Sequence, residues 1–359
     1  MDRQDKNTTE GRKFFLFFFL NRKVLFAYAL LILLPAFYSC SGNDNGLMYG
    51  MTQQEEACIM INTSVPIKET TGTSCIDIFI FNNDRLGWLD SYQRFSGPYS
   101  GEITAASRKG KKIIAAVANP ARDISAWSGI NSFEALLKTT ASLWDEDPGA
   151  PLMCGYKEIS MGEENSCTME MIPILSEIKV NSLRCDFSGR PYQGEVLSDI
   201  RIYLTNVNSQ APIFNKESFM PTEIINAAGL SETDMSRMSH PEMLSGTLAG
   251  NIGDNTVYPG ISLYCYPNDC VEQSIGSPFT RLVIEGKLCG QTYYYPIDIN
   301  RGDDLQGEVG VGRNSRYVYD IIITRTGTTD PDIPADVTMV DINMTVRPWD
   351  ELEEDEITF

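Results

Sequence analysis

The stretch Val340–Val346 (VDINMTV) alternates apolar and polar residues over its whole length. Its first, third, fifth and seventh residues are apolar, and the three residues between them are polar. A period of two places the apolar side chains on one face of a β-strand, whereas a helix needs a period of about 3.6. The stretch therefore predicts a β-strand that presents one apolar face.

Similar runs, bounded by turn residues, recur on the N-terminal side of this strand. The runs are Ala57–Val65, Cys75–Phe81, Lys111–Ala118, Glu177–Leu183, Ile200–Val207, Ile261–Tyr266, Arg281–Glu285, Thr292–Ile299 and Tyr317–Thr324. One clear helix is predicted after Ser132, which can cap its N-terminus, and residues 208–256 could hold short helices. Short strands with little helix between them predict an all-β (minor α) fold of antiparallel β-sandwiches.

The strand runs form two series, one that starts at Ala57 and one that starts near Met171. The chain has 359 residues, which is more than a single hydrophobic core of ~250–300 residues usually serves. We therefore predict an N-terminal β-sandwich domain over residues 55–171 and a C-terminal β-sandwich domain over residues 172–359.

Residues 1–39 are predicted to be an export signal. Basic residues up to Lys23 precede the apolar segment Val24–Tyr38, in the order that signal peptides show. The alternative is a membrane anchor, because Phe14–Leu20 is also apolar. Asn21, Arg22 and Lys23 interrupt the two apolar blocks, so the chain offers no continuous span of ~20 residues.

The apolar segment ends in Phe37-Tyr38-Ser39-Cys40, and a small residue directly before a cysteine at this point resembles the lipobox of bacterial lipoproteins. We expect cleavage between Ser39 and Cys40, lipidation of Cys40, and a lipidated tether over residues 40–54. The resemblance implies several acyl chains on this cysteine, and two or more chains anchor a protein stably. The expected partner of Cys40 is therefore the lipid of the cell outer membrane.

Charge and histidine content exclude several classes of function. The formal net charge is −19, and without residues 1–39 it becomes 23 − 45 = −22, so a nucleic acid partner is not expected. His240 is the single histidine, which excludes multi-histidine metal sites and leaves one candidate base for a catalytic triad. The common hydrolase, nucleotide-binding and metalloprotease motifs are absent, so we predict no enzyme, no catalytic residues, no metal site and no cofactor.

Other features have a plain structural interpretation beside a functional one. Arg301-Gly302-Asp303 is an adhesion-type tripeptide, and an exposed charged turn explains it equally well. The eight cysteines after Cys40 show no C-x-x-C spacing, so zinc is not predicted, and disulfides stay open. Four tryptophans could form a glycan platform, although core or rim positions explain most of them. A glycan-binding surface lipoprotein is therefore the alternative from another class of function.

Several segments, taken in their order along the chain, resemble the fimbrillin-like subunits of type V pili. The segments are Cys75–Asn83 (CIDIFIFNN), Leu89–Arg94 (LDSYQR), Ile114–Asn119 (IAAVAN), Ser132–Leu137, Leu152-Met153-Cys154-Gly155, Ile172–Ile178, Val257–Gly260, Tyr266-Pro267-Asn268, Phe279–Glu285 (FTRLVIE), Tyr293–Ile297 (YYYPI), Arg313-Asn314, Tyr317–Thr324 and Trp349. The resemblance implies two transthyretin-like Greek-key β-sandwich domains, export as a lipoprotein, and assembly into a surface filament. It also implies partners: other fimbrial subunits, joined by donation of a β-strand from one subunit to the next.

In this family, shaft subunits lose the lipid and the first strand when a mostly Arg-directed protease cuts after that strand. This sequence has no lysine or arginine between Cys40 and Lys68, and Arg85 follows the second predicted strand. We therefore expect Cys40 and Ala57–Val65 to be retained, as suits an anchor subunit at the base of the pilus. Lys68 is a possible processing site, and cleavage there would indicate a shaft or tip subunit instead.

Overall fold

The computed structural model of the chain describes residues 55–64, 75–97, 102–121, 124–164, 166–214, 219–301, 309–336 and 339–349. Strands predominate among these residues. The strands are β1 (Glu56–Ser64), β2 (Cys75–Asn82), β3 (Leu89–Ser96), β4 (Glu102–Arg108), β5 (Gly110–Ala118), β6 (Thr140–Ser142), β7 (Met153–Met161), β8 (Ser166–Glu170), β9 (Ile172–Pro173), β10 (Ser176–Cys185), β11 (Ser198–Thr205), β12 (Val207–Asn208), β13 (Gln210–Pro212), β14 (Ile224–Ile225), β15 (Ser245–Thr247), β16 (Ile261–Cys265), β17 (Arg281–Leu288), β18 (Gln291–Asp298), β19 (Ser315–Ile323) and β20 (Val340–Pro348).

Helices are short in the described residues. The α-helices are α1 (Phe133–Leu137) and α2 (Glu232–Arg237), and single 3₁₀ turns cover Ile124–Trp127, Leu143–Asp145 and Pro241–Met243. The predicted cap of α1 is confirmed, because the Ser132 hydroxyl accepts a hydrogen bond of 3.2 Å from the Ala135 N–H. The prediction of an all-β (minor α) sandwich fold is also confirmed.

Two sheets in the first half of the chain enclose one apolar core. One sheet has the strand order β3-β2-β5-β7-β9, and the other has the order β4-β1-β8. Isoleucine, alanine and methionine side chains from both sheets fill the space between them. The run Ile113–Ala118 of β5 is buried on both faces, as its uninterrupted apolar sequence predicts.

Two further four-stranded sheets form most of the second half of the chain, in the orders β16-β10-β19-β20 and β15-β11-β17-β18. Alternate residues of β19 point into the core between these sheets, from Tyr317 to Ile323. The neighbouring strand β20 lies at the edge of its sheet and pairs antiparallel with β19 over all nine of its residues. The core of this half is continuous with apolar residues of the first half.

Polar side chains link the two halves. The Arg313 guanidinium donates to the carbonyl oxygen of Ile213 at 2.6 Å and to that of Pro173 at 3.2 Å. Glu146 is buried and accepts hydrogen bonds of 2.6 Å from the Tyr266 hydroxyl and from the Leu152 N–H. By its contacts the chain from Gln54 onward is one compact unit, and its division into domains at residue 172 stays a prediction.

Candidate functional site

Strand β1 occupies the middle of the three-stranded sheet and supplies all of its internal pairing. It runs antiparallel to β4, with Met60 opposite Thr104, and parallel to β8, with Met60 opposite Ser166. In the described residues β4 and β8 do not pair with each other. Removal of β1 would therefore leave a slot one strand wide, bordered on both sides by unpaired backbone N–H and C=O groups.

The side chains of β1 divide the strand into a buried face and an exposed face. Ile59 and Ile61 are fully buried against the core of the first sandwich, and Thr63 is also buried. Cys58 and Met60 point to the opposite, exposed face. The strand thus contributes to the core through alternate residues and to the sheet through its backbone, which is the pattern required of any segment that could take its place.

The five-stranded sheet opposite β1 is held in place by buried ion pairs near its edge. Asp77 is fully buried and accepts hydrogen bonds of 2.6 Å from the Nε and Nη2 atoms of Arg94 and of 2.8 Å from the Trp127 indole. Such a satisfied bidentate pair fixes β2 against β3. These contacts join β2, β3 and the 3₁₀ turn that contains Trp127 without involving β1.

A second buried ion pair links β3, β4 and β5. Asp90 accepts a hydrogen bond of 2.8 Å from the Lys112 ammonium group, and both side chains are about 1% exposed. Burial opposes the ionisation of Asp90, but hydrogen bonds from Lys112, Ser107 and Arg108 outweigh it and hold the pKa of this carboxyl below its ordinary value. The pair fixes the position of β4, which forms one border of the slot.

The second candidate feature is the edge strand β20, whose apolar face is largely exposed. Its apolar face points toward the interior of the second sandwich, yet Ile342 is 37% exposed and Val346 is 46% exposed. Only Val340, at the start of the strand, and Trp349, directly after it, are buried. The predicted strand and its apolar face are thus confirmed, but most of that face is not covered by the opposite sheet.

An open cleft of about 430 Å³ lies beside the apolar face of β20. Val340, Ile342 and Met344 line one side of it. Residues at the end of β18 and just after it, together with Pro334 and Ala335, line the other side. In the described residues β18 is the last strand of its sheet and β20 is the last strand of the facing sheet. The cleft therefore marks the place where the second sandwich is incompletely closed.

The residues predicted to carry lipidation and processing lie outside the described residues. These are Ser39, Cys40 and Lys68, together with the signal peptide over residues 1–39 and the tether over residues 40–54. Among the described residues, no helix is long and apolar enough to cross a membrane. Arg85 lies in the exposed turn after β2, where cleavage would separate β1 and β2 from the remainder of the chain.

The remaining candidates from the sequence are His240, the cysteines and the adhesion-type tripeptide. His240 is 37% exposed, and its Nδ1 atom lies 2.9 Å from a carboxylate oxygen of Glu242. The eight cysteines in the described residues are free thiols, and no metal-binding group of histidine, cysteine, aspartate and glutamate occurs there. Arg301 of the adhesion-type tripeptide stacks on Phe279 at 3.5 Å, and Gly302 and Asp303 lie outside the described residues.

The tryptophans do not form a common exposed platform. Trp127 and Trp349 are buried, and Trp144 packs beneath the Arg237 guanidinium at 4.0 Å. Trp88 is 60% exposed and is the one exposed tryptophan among the four, all of which lie in the described residues. This distribution gives no support to the alternative of a glycan-binding surface built on tryptophan.

Comparison with known proteins identifies relatives by structure alone. No family model matches the chain, and no curated protein matches it. A fimbrilin from Porphyromonas gingivalis superposes with a TM-score of 0.58 and 14% identity, over 82% of this chain and 97% of that one. A candidate cell adhesion protein from Bacteroides eggerthii gives a TM-score of 0.60 and 17% identity, over 82% and 96% of the two chains.

A tip fimbrial protein from Porphyromonas gingivalis, truncated at its C-terminus, gives a TM-score of 0.51 and 13% identity, over 82% of this chain and all of that one. At such identities the likeness concerns the fold, and it extends over nearly the whole of each solved structure. The chain has the fimbrillin-like fold.

Proposed function

We propose that this protein is a non-enzymatic structural subunit of a cell-surface pilus, the lipid-anchored subunit at its base, and that it joins its neighbour by β-strand donation. The observation that carries the proposal is the pairing of a filled slot with an exposed edge strand. Strand β1 fills the slot of the first sandwich from within the chain, whereas β20 has an exposed apolar face in the second. A subunit at the base of a pilus joins one neighbouring subunit, so it needs a strand to donate but no open slot to receive one.

Strand β20 is the segment best suited to be donated. Its alternating sequence offers an apolar side chain at every second position, as β1 does. It is attached to the chain through one neighbouring strand, β19, and it contributes little buried surface beyond Val340. Its departure would break the ladder with β19 but would uncover few buried side chains of β20 itself. Burial of its apolar side chains in the slot of another subunit would add ~1.5–3 kcal/mol each before entropy losses.

Retention of β1 is what separates an anchor from a shaft or tip subunit. The chain offers no lysine or arginine between Cys40 and Lys68, so a trypsin-like protease cannot detach the lipid ahead of β1. If Lys68 is not cut, the acyl chains on Cys40, the tether and β1 stay joined to the remainder of the chain. The lipid then holds the filament to the outer membrane.

Mass spectrometry of the protein taken from assembled pili tests this assignment. The anchor role predicts an N-terminal peptide that begins at an acylated Cys40. An N-terminus at Glu69 would overturn the anchor role and indicate a shaft or tip subunit whose slot is open. A Lys68→Gln variant is the matched control, because it leaves the anchor unaffected but blocks maturation of a subunit that is cut at this position.

A further inference from the structure

Strand β20 carries two charged side chains that have no partner within the described part of the chain. Asp341 and Arg347 lie on the face of β20 opposite to its apolar face, and both are exposed. Across the ladder with β19, Asp341 faces Ile322 and Arg347 faces Arg316, which is itself paired with Glu177. Neither charge is therefore explained by the pairing that holds β20 in its own sheet.

The sequence around these charges is complementary to itself in the antiparallel direction. In an antiparallel pair of two copies of β20 centred on Met344, Asp341 of each copy lies opposite Arg347 of the other. In the same register Ile342 lies opposite Val346 on the apolar face. Opposite charges and matched apolar side chains at directly facing positions are the pairs that stabilise antiparallel strands.

Symmetry restricts the alternatives to this register. Two identical strands that pair antiparallel in one continuous sheet are related by a two-fold axis perpendicular to the sheet. The axis must then lie where a residue faces the same residue of the other copy. An axis between two residues would place apolar side chains of one strand opposite polar side chains of the other. A centre at Asn343 or Thr345 moves Asp341 opposite a residue other than Arg347, so the centre at Met344 alone satisfies both charges.

We propose that the free edge of β20 binds the same edge of a second copy of this chain, antiparallel and centred on Met344, to form a two-fold symmetric dimer. Charges on an edge strand ordinarily deter edge-to-edge pairing. Here the same two charges select one register and one partner. Only a strand that carries an acidic and a basic residue six positions apart, in the same order, can pair with both Asp341 and Arg347. The dimer covers the β20 edge before another subunit receives it.

A charge-exchange experiment tests the proposal without the other pilus subunits. Two copies of the full chain with different C-terminal tags are produced together in a Gram-negative host without such pili, extracted in excess mild detergent, and purified through one tag. Wild-type copies should co-purify. Two Asp341→Arg copies, or two Arg347→Asp copies, should lose at least ten-fold of that signal, because like charges then face each other at both ends of the pair.

An Asp341→Arg copy produced with an Arg347→Asp copy should recover the signal, since each charge again faces its opposite. Both side chains are exposed and unpaired in the described residues, so unchanged melting curves serve as the folding control. Absence of co-purification between wild-type copies, or equal co-purification in all combinations, would overturn the proposal. The assay contains no pilus, so its failure leaves the proposed anchor role untouched and its success does not depend on that role.

Cross-linking gives an independent readout of the register. Residues that face each other in an antiparallel pair have Cα atoms about 4.5–5.5 Å apart, which a disulfide can bridge. In a background with Cys58 and Cys289 changed to serine, a Met344→Cys variant should form a covalent dimer under mild oxidation. A Thr345→Cys variant should not, because that position faces Asn343 of the other copy. Equal cross-linking of the two variants would contradict the register.

Discussion

Single residues in β1 show how one strand contributes to the core of a domain through alternate positions. Ile59 and Ile61 are fully buried, whereas Met60, between them, is 40% exposed. The backbone of the strand pairs with two neighbours whose own side chains complete the core. A segment that replaced β1 would thus need an extended backbone with bulky apolar side chains at alternate positions.

The buried face of β1 can be tested by truncation of one side chain. An Ile61→Ala change should lower the free energy of unfolding by ~2–5 kcal/mol, because it removes buried methyl and methylene groups and leaves a cavity. A Met60→Ala change, on the exposed face of the same strand, should stay within ~0.5 kcal/mol. Urea unfolding of the two variants and the parent chain measures both effects, and equal losses would show that β1 does not pack as described.

Glu146 predicts how stability depends on pH. Burial raises the pKa of this carboxyl from 4.5 to about 7, against hydrogen bonds from Leu152 and Tyr266 that lower it, and the nearby charge of Asp147 adds to the rise. Between these two values the folded chain keeps a proton that the unfolded chain has released. The contribution of Glu146 is therefore complete below pH 4.5 and is lost as the pH rises to about 7, by about 3 kcal/mol in total.

A Glu146→Gln variant should lose this pH dependence. Its difference in unfolding free energy from the parent chain should grow in favour of the variant between pH 5 and pH 8, because the amide cannot ionise. Asp147→Asn, at the neighbouring half-exposed position, serves as the control and should change the pH profile much less. If the unfolding free energies of the parent chain and the Glu146→Gln variant changed with pH in the same way, the raised pKa of Glu146 would be contradicted.

At the scale of elements, the sequence predicts strands well where both faces or one face are strongly apolar. The predicted runs from Cys75 and from Lys111 match β2 and β5 closely, because buried isoleucine and valine leave little ambiguity. Strand β4 (EITAASR) escapes prediction since alanine and serine give a weak alternation. Its strand conformation follows from pairing with β1, which is a tertiary effect that local sequence does not contain.

Only part of the candidate site could be predicted from the sequence, for a related reason. The alternation of Val340–Val346 predicts the strand and its apolar face, but exposure of that face depends on where the facing sheet ends. Residues far away in sequence, in β18 and near Pro334, determine the open cleft beside it. Likewise the burial of Lys112 follows from its contact with Asp90, which precedes it by 22 residues.

The slot itself can be tested as an element that accepts a strand in trans. A chain that begins at Glu69 lacks β1, so it should be less stable than the parent and should bind a synthetic peptide of residues 55–65 with Cys58 replaced by serine. A peptide that also carries Ile59→Asp and Ile61→Asp should not bind, because charged groups would enter the core. Fluorescence anisotropy of labelled peptides measures both. Equal binding of the two peptides would show that side-chain pockets play no part.

At the scale of the whole molecule, the proposed function requires a lipid at one end of the chain and a donated strand at the other. Between them lie sheets that contain buried ion pairs, such as Asp77 with Arg94. Pairing of β20 with a second copy and donation of β20 to another subunit would compete for one strand. Growth of a filament from this subunit would then require the dimer to separate.

The most direct test of the central claim is electron microscopy of cells that lack this protein, with filaments counted both on the cells and in the medium. An anchor subunit predicts that filaments still form but are shed, so that they move from the cell surface to the medium. Restoration with the parent gene should return them to the cells, and a Cys40→Ser version should not. Filaments that remain attached in normal number to cells without the protein would contradict the account.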